Sequence, residues 1–220
     1  MKKVFLLVLL GFTAVAAQAQ SYERDQTSTG SRNSGVGIKG GLTLSDLVGS
    51  GTSLFRNPGQ LKTFHAGIYG QHGYSKFASV QFEVLYSRKG YRADSLGTAG
   101  NYTTRLDYVE VPVLFVGNIT STISFHLGPR ASFLTGAYSG SRDLDLDKAG
   151  YKRFDVGGIV GAEARVGFAR VGARYDLSFT NLYKSGAAVT YNGQPIAGLV
   201  TDENIRNQVV QVYLGIGVAH

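Results

Sequence analysis

The chain has 220 residues, and it is rich in glycine (30 residues) and aromatic residues (11%) but poor in charged residues (17%). Soluble domains carry roughly 25% charged residues, so this composition favours an all-β protein. The sequence contains no cysteine, which excludes disulfides, thiolate metal sites and thiol catalysis. The net charge of +7 does not indicate nucleic-acid binding, because the basic residues are scattered singly and form no stripe that grips phosphates.

The first nineteen residues have the pattern of an export signal. Two lysines precede an apolar run from Val4 to Ala17, which ends in the small-residue pattern Ala17-Gln18-Ala19. We therefore predict a signal peptide over residues 1–19. A transmembrane helix is disfavoured, because the apolar run is shorter than about 20 residues. Residues 20–35 are rich in Ser, Thr, Gly and charge, and this composition predicts a flexible periplasmic leader.

From residue 36 onward, apolar and polar residues alternate. Strict alternation indicates strands, because successive side chains of a strand point to opposite faces. The chain has eight such segments, and we expect each to lie within a strand of the roughly 9–11 residues that a tilted membrane strand needs. The alternating segments are Val36–Leu44, Phe64–Tyr69, Val80–Ser87, Tyr108–Phe115, Ile123–Phe133, Asp155–Val166, Arg170–Phe179 and Val210–Val218.

The connections between these segments alternate between long and short. The long ones are 45–61, 88–103, 139–150 and 183–206, and the short ones are 74–77, 118–122 and 167–168. Outer-membrane barrels have tight turns on the periplasmic side and extended loops outside. The polar face is rich in glycine, which suits a narrow lumen better than an exposed sheet. We therefore predict an all-β fold, an eight-stranded antiparallel transmembrane outer-membrane β-barrel over 36–220; a soluble lipocalin-like ligand-binding barrel is the alternative.

Aromatic residues near the predicted strand ends support the same fold. Membrane barrels carry aromatic girdles at both interfaces with water. The candidate girdle residues are Tyr74, Phe77, Tyr86, Tyr102, Tyr138, Tyr151, Phe168 and Phe179.

Several motifs within the predicted barrel match those of a known family. They are Gly37–Ser45, Phe64–Tyr69, Glu83–Gly90, Leu106–Leu114, Gly128–Arg130, Gly172–Tyr175 and Gln211–Gly215. Through these motifs the chain resembles the outer-membrane β-barrel proteins of Bacteroidetes, of the porin and PorT-like type. The resemblance implies a place in the outer membrane and a role associated with secretion. The chain departs from the pattern at its end, which reads Val218-Ala219-His220, where these barrels often end in an aromatic residue.

Charged residues on the polar face are expected to share the lumen. They are Lys39, Glu83, Glu110, Arg130, Asp155, Glu163, Arg165, Arg170, Arg174 and Asp176. Buried charges must be paired, and eight strands leave room for little besides side chains. We therefore predict an internal salt-bridge network. The alternative is a selectivity-setting or proton-relay interior.

Two other patterns do not predict a site. Ser124, His126 and His65 are expected to point inward. Ser124 and His126 are two residues apart on one strand, and residues at this spacing lie about 6.6–6.8 Å from each other, beyond hydrogen-bond reach. No nucleophile elbow accompanies them. The run Asp143–Asp147 resembles a calcium loop, but Lys148 stands where an EF-hand needs glycine. We predict no catalytic residue, no metal and no cofactor.

The predicted function is that of a structural or interaction module of the cell envelope with a narrow charged lumen. The predicted partners are the lipid of the outer membrane and envelope proteins that contact the external loops, with no nucleic acid. Asn192-Gly193 in the longest loop predicts a hairpin. A small passive porin and a lipid-modifying barrel enzyme are the alternative functions.

Overall fold

A computed structural model describes residues 34–50, 52, 56–94, 101–191, 194–201 and 204–219. The predicted signal peptide and residues 20–33 of the predicted leader lie outside these ranges. Among the described residues, no helix has the length and hydropathy of a membrane-spanning helix.

The described chain is built from strands and the turns between them. The strands are β1 (Gly35–Val48), β2 (Arg56–Gly73), β3 (Ala78–Asp94), β4 (Asn101–Asn118), β5 (Ile123–Ser139), β6 (Arg142–Asp143), β7 (Phe154–Val166), β8 (Ala169–Ser178), β9 (Ala187–Tyr191), β10 (Gln194–Thr201) and β11 (Arg206–Ala219). The predicted boundary between leader and barrel differs from the first strand by one residue, because Gly35 already pairs with Ala219 and Gln71.

Eight of these strands close into a barrel. Their order around the wall is β4, β3, β2, β1, β11, β8, β7, β5, and β4 pairs again with β5. All these pairings are antiparallel, so the predicted eight-stranded fold is confirmed. Closure leaves no open edge among the described strands of this ring, as a membrane-spanning sheet requires.

Three short strands lie outside the ring of eight. The two-residue β6 pairs with the end of β5. Strands β9 and β10 form a separate antiparallel pair, as the predicted hairpin at Asn192-Gly193 requires, although those two turn residues lie outside the described ranges.

The barrel wall has an apolar outer face and a polar inner face. Leu42 and Leu214 are 66% and 69% exposed, whereas Lys39 and Glu83 are 3% and 0% exposed. The alternation in the sequence therefore predicted both the strands and the direction of their side chains. Exposed apolar side chains occur on all eight strands of the ring, and hydrocarbon is the surrounding in which such a surface is stable.

One end of the barrel carries short turns and the other carries long connections, as predicted, but the long connections contain more strand than predicted. The short connections 74–77, 119–122 and 167–168 lie together at one end, which we call the short-turn end. At the opposite, long-loop end, the predicted loops are largely strand: β1 continues to Val48, β3 reaches Asp94 and β4 begins at Asn101. The sequence of these segments is polar on both faces and therefore indicated loops. The hydrogen-bonded strands nevertheless continue, because water rather than lipid contacts the outer face beyond the apolar belt, and polar side chains are stable there.

A hydrophobic core fills the inside of the barrel at the long-loop end. This mouth cluster consists of Leu47, Tyr91, Leu106, Tyr108, Leu134, Ala137, Leu144, Ala149, Tyr151, Leu182, Tyr183 and Ile205. The loops after β6 and β8 contribute five of these residues, so the loops fold inward over the lumen. The assignment of Tyr151 to the aromatic girdle is wrong, because its ring stacks on that of Tyr183 at 4.9 Å and is 1% exposed. Among the other girdle candidates, Tyr74, Phe77 and Phe168 are exposed at the short-turn end.

Candidate functional site in the barrel lumen

The upper network lies in the lumen beneath the mouth cluster. It consists of Lys89, Glu110, Arg130, Asp155 and Asp176. Arg130 donates through Nε to Asp176 Oδ1 at 2.7 Å and through Nη1 to Asp155 Oδ2 at 2.8 Å. Lys89 Nζ lies 2.5 Å from Glu110 Oε1 and 2.8 Å from Asp176 Oδ2. Two cations thus hold three carboxylates, and each acidic group has a direct basic partner.

Small residues and hydroxyls complete the surroundings of Arg130. Ser178 accepts a hydrogen bond from Arg130 Nη2 at 2.9 Å and donates one to Asp155 Oδ2 at 2.8 Å. Ser132 is a further acceptor for Arg130. Gly157 leaves the space that the guanidinium occupies, since a Cβ at this position would overlap with Arg130 Nη2. The strand sequences therefore provide both the partners and the room for one fully buried arginine.

The lower network lies nearer the short-turn end. It consists of Lys39, Glu83, Glu163, Arg170 and Arg174. Glu83 binds Lys39 Nζ and Arg174 Nη1, each at 2.7 Å. Arg170 Nη1 lies 3.2 Å from Glu163 Oε1.

Tyr213 connects the two halves of the lower network. Its hydroxyl donates to Glu163 Oε2 at 3.1 Å, and the ammonium group of Lys39 lies 4.4 Å from the centre of its ring. The carboxylate of Glu83 and the face of the Tyr213 ring together stabilise the ammonium group of Lys39. Tyr213 occupies the space beside Gly172, where a Cβ would overlap with the phenol ring. The glycines of the polar face therefore make room for large lumen side chains.

Two ion pairs join opposite walls of the barrel. Strands β3 and β8 are four places apart in the ring of eight, so they face each other across the lumen. Glu83 of β3 binds Arg174 of β8, and Lys89 of β3 binds Asp176 of β8. We call these pairs the cross-braces. They fill the lumen at two levels, and all four side chains are at most 1% exposed.

The structure places most of the predicted lumen residues in these two networks. Arg165 differs: it lies at the short-turn end of the wall, opposite Arg170 in the β7–β8 pairing, and is partly exposed. The sequence prediction missed Lys89, which it assigned to a loop. The period of two that runs through Glu83, Ser87 and Lys89 carries the signal that identifies it as inward-facing.

The inward Ser and His residues have different neighbours. Ser124 Oγ lies 3.5 Å from the backbone oxygen of Glu163, and His126 Nε2 lies 4.0 Å from Glu163 Oε2. His65 Nδ1 hydrogen-bonds Thr43 Oγ1 at 3.0 Å. Within the described part of the chain, no three His, Asp or Glu residues are placed to hold a metal ion.

The acidic run before β7 fastens the external loops together. Asp147 accepts hydrogen bonds from Arg153 at 2.7 Å and from Lys184 at 3.3 Å. These contacts, with Lys184 as the largest cause, hold the pKa of Asp147 below its ordinary value of 3.8. The carboxylate therefore stays charged and joins the loop after β6 to the loop after β8.

A family model described as an outer membrane protein beta-barrel domain matches residues 17–184, well over half of the chain. The chain belongs to this family. It is therefore an outer-membrane protein that sits in membrane lipid. Barrels of this kind have short turns on the periplasmic side and longer loops outside. No curated protein matches the chain.

Three solved structures are similar to this chain, each with a TM-score below 0.5. Ail, the attachment invasion locus protein of Yersinia pestis, is 12% identical over 84% of this chain and 99% of its own, with a TM-score of 0.45. Neisserial surface protein A is 15% identical over 82% and 96%, with a TM-score of 0.48. OprG from Pseudomonas aeruginosa is 12% identical over 87% and 99%, with a TM-score of 0.48.

The lipid-facing wall gives a direct test of the membrane setting. Leu214 lies at the middle of the outward apolar series of β11, and we expect Leu214→Arg to lower the free energy of unfolding by about 2–4 kcal/mol. Phe168→Arg, at the short-turn rim, is the matched control and should cost about 0–1 kcal/mol. Urea titration of the protein in lipid measures both. Equal effects of the two substitutions would contradict a bilayer around the belt.

Proposed function

We propose that this barrel is a non-conducting module of the outer membrane, with a structural or interaction role in the cell envelope. The cross-braces are the observation that carries this proposal. Because each joins β3 to β8 through direct ion pairs of 2.7 Å and 2.8 Å, side chains rather than water occupy the lumen at both levels. Above them, the mouth cluster adds an apolar layer, which hydrated ions do not cross readily.

The lumen also has the features of a structural interior rather than of a catalytic one. Its carboxylates are paired with cations, and its Ser and His residues do not form a nucleophile and base pair. We therefore infer that the protein is not an enzyme. Mass spectrometry of outer-membrane lipids in a deletion strain tests this inference, and a lipid species that changes only in the absence of the protein would contradict it.

The interaction role is assigned to the long-loop end. Its loops are held together by the Asp147 ion pairs and by the mouth cluster, so they present a defined surface to envelope proteins. The PorT-like resemblance supports a role associated with secretion. Protease treatment of intact cells, followed by fractionation, should cut within 139–150 or 183–206 and leave the barrel in the membrane fraction.

Conductance separates this proposal from a small passive porin. Purified protein in planar bilayers should give no steady current steps at neutral pH. A variant that removes one whole cross-brace, Lys89→Ala with Asp176→Ala, is the matched comparison, since it widens the lumen at one level. Regular current steps from the unmodified protein would favour the porin and overturn the proposal.

A further inference from the structure

The outer surface of the barrel carries its cations unevenly. At the long-loop end, just beyond the apolar belt, four basic side chains point outward from the neighbouring strands β2, β3 and β4. This basic patch consists of Lys62, Arg88, Arg92 and Arg105. At the short-turn end, outside the lumen networks, the described residues include only two lysines or arginines, Lys76 and Arg165. The asymmetry points to an anionic partner on the external side.

Strand register brings three of the arginines together. In the β3–β4 pairing, Arg88 lies opposite Asp107, Gly90 opposite Arg105, and the next outward residue, Arg92, opposite Thr103. Arg105 is therefore the diagonal neighbour of both other arginines, at a Cα spacing of about 7–8 Å. Gly90 lies between them and contributes no side chain. Long side chains at this spacing are able to reach one common ligand.

The charge of this patch is only partly neutralised. Arg88 binds Asp107 through Nε at 2.8 Å and through Nη2 at 3.2 Å. Among the side chains that the structure describes, no carboxylate forms an ion pair with Arg92 or Arg105, and Arg105 donates through Nη2 to the backbone oxygen of Gly140 at 2.7 Å. At the same end, Arg153 and Lys184 are already paired with Asp147. The surplus of positive charge is therefore concentrated on the wall formed by β2 to β4.

The position of the patch along the barrel axis indicates the kind of anion that it contacts. The guanidinium of Arg88 lies 5.4 Å from the ring centre of Phe64, a lipid-facing side chain that is 45% exposed. The guanidinium of Arg105 lies 5.8 Å from the ring centre of Tyr138. Arg88 therefore sits against the barrel wall where the apolar belt ends, and Arg105 is held beside the same wall by Tyr138 and by the turn after β5. Lipid headgroups occupy this level, and a soluble partner would have to displace them.

We propose that the basic patch binds a phosphate group of an anionic lipid in the outer leaflet of the outer membrane. Planar guanidinium groups pair with phosphate oxygens through two parallel hydrogen bonds, which makes arginine well suited to this ligand. Arg92 and Arg105 supply charge that no described carboxylate neutralises, and Arg88 supplies a position fixed by Asp107 and Phe64. This lipid contact is independent of whether the lumen conducts.

The test compares binding of phosphorylated and dephosphorylated lipid A, a glycolipid with two phosphate groups, to the protein folded in detergent. The variant Arg92→Gln with Arg105→Gln leaves the Arg88–Asp107 pair intact. We expect it to weaken binding of the phosphorylated lipid by about tenfold or more. Lys148→Gln with Arg153→Gln removes the same charge from exposed loop positions and should leave binding within about twofold of the unmodified protein, because the loop lies away from the headgroup level. Heat-modifiable gel mobility verifies that both variants are folded.

Three outcomes would overturn the proposal. Equal binding of the two lipids would exclude phosphate as the recognised group. An equal loss of lipid binding in both variants would show that binding depends on the net charge of the protein and not on a site at the patch. Binding of a soluble sulfated polysaccharide, with no retention of either lipid in native mass spectrometry, would assign the patch to a soluble polyanion.

Discussion

Replacing Arg130 by alanine should lower the free energy of unfolding by about 3–5 kcal/mol, because it leaves buried carboxylates without their cation. Arg130 is buried and binds Asp155 and Asp176 directly. Lys89 remains beside Asp176 in the variant, but Asp155 keeps only hydroxyl partners. The predicted readouts are a lower midpoint of urea unfolding and earlier loss of the compact band in heat-modifiable gel mobility. Glu110→Ala should act in the same direction, since it removes one partner of Lys89.

Two control variants separate the buried network from charge in general. Arg153→Ala removes an exposed arginine whose side chain is 48% accessible and should change stability by about 0–1 kcal/mol. Asp155→Asn added to Arg130→Ala should recover part of the loss, because the unpaired carboxylate becomes neutral. If Arg130→Ala unfolds at the same urea concentration as the unmodified protein, the lumen network does not stabilise the barrel.

Replacing Tyr183 by alanine should open the mouth of the barrel. The Tyr183 ring stacks on Tyr151, and its hydroxyl hydrogen-bonds that of Tyr91 at 2.9 Å. Loss of a buried aromatic side chain costs about 3–5 kcal/mol. Because the loops can open locally while the barrel ladder stays intact, the expected result is faster proteolysis and hydrogen exchange of residues 144–153 with little change in barrel unfolding.

The matched variant Tyr183→Phe keeps the ring and removes only the hydroxyl. It should cost about 1–3 kcal/mol, the usual net value of two hydrogen bonds, because the hydroxyl contacts those of Tyr91 and Tyr151. Protection of the loops should stay close to that of the unmodified protein. Protease cleavage of Tyr183→Ala at the rate of the unmodified protein would show that the mouth cluster does not hold the external loops in place.

The barrel itself was predictable because a wall with lipid on one side and polar side chains on the other imposes a period of two. Leu42 and Lys39 lie on opposite faces for this reason, and the same rule holds along β8 for Val171 and Arg174. The alternation of apolar and polar residues is lost where water rather than lipid surrounds the barrel. Lys89 and Tyr91 still point inward at every second position, but the residues beside them are also polar or glycine, so the segment has the composition of a loop.

The sequence by itself determined the eight strands of the ring, the direction of their side chains, and the separation of short turns from long connections. Only the tertiary structure decided which charges pair, because Glu83 and Arg174 are 91 residues apart and meet through the closure of the ring. The same holds for the mouth cluster, where Tyr91, Tyr151 and Tyr183 come from different parts of the chain. Alternation in the sequence gives the direction of the side chains within one strand. Contacts across the lumen depend in addition on the order and stagger of the strands and on the space that glycines leave.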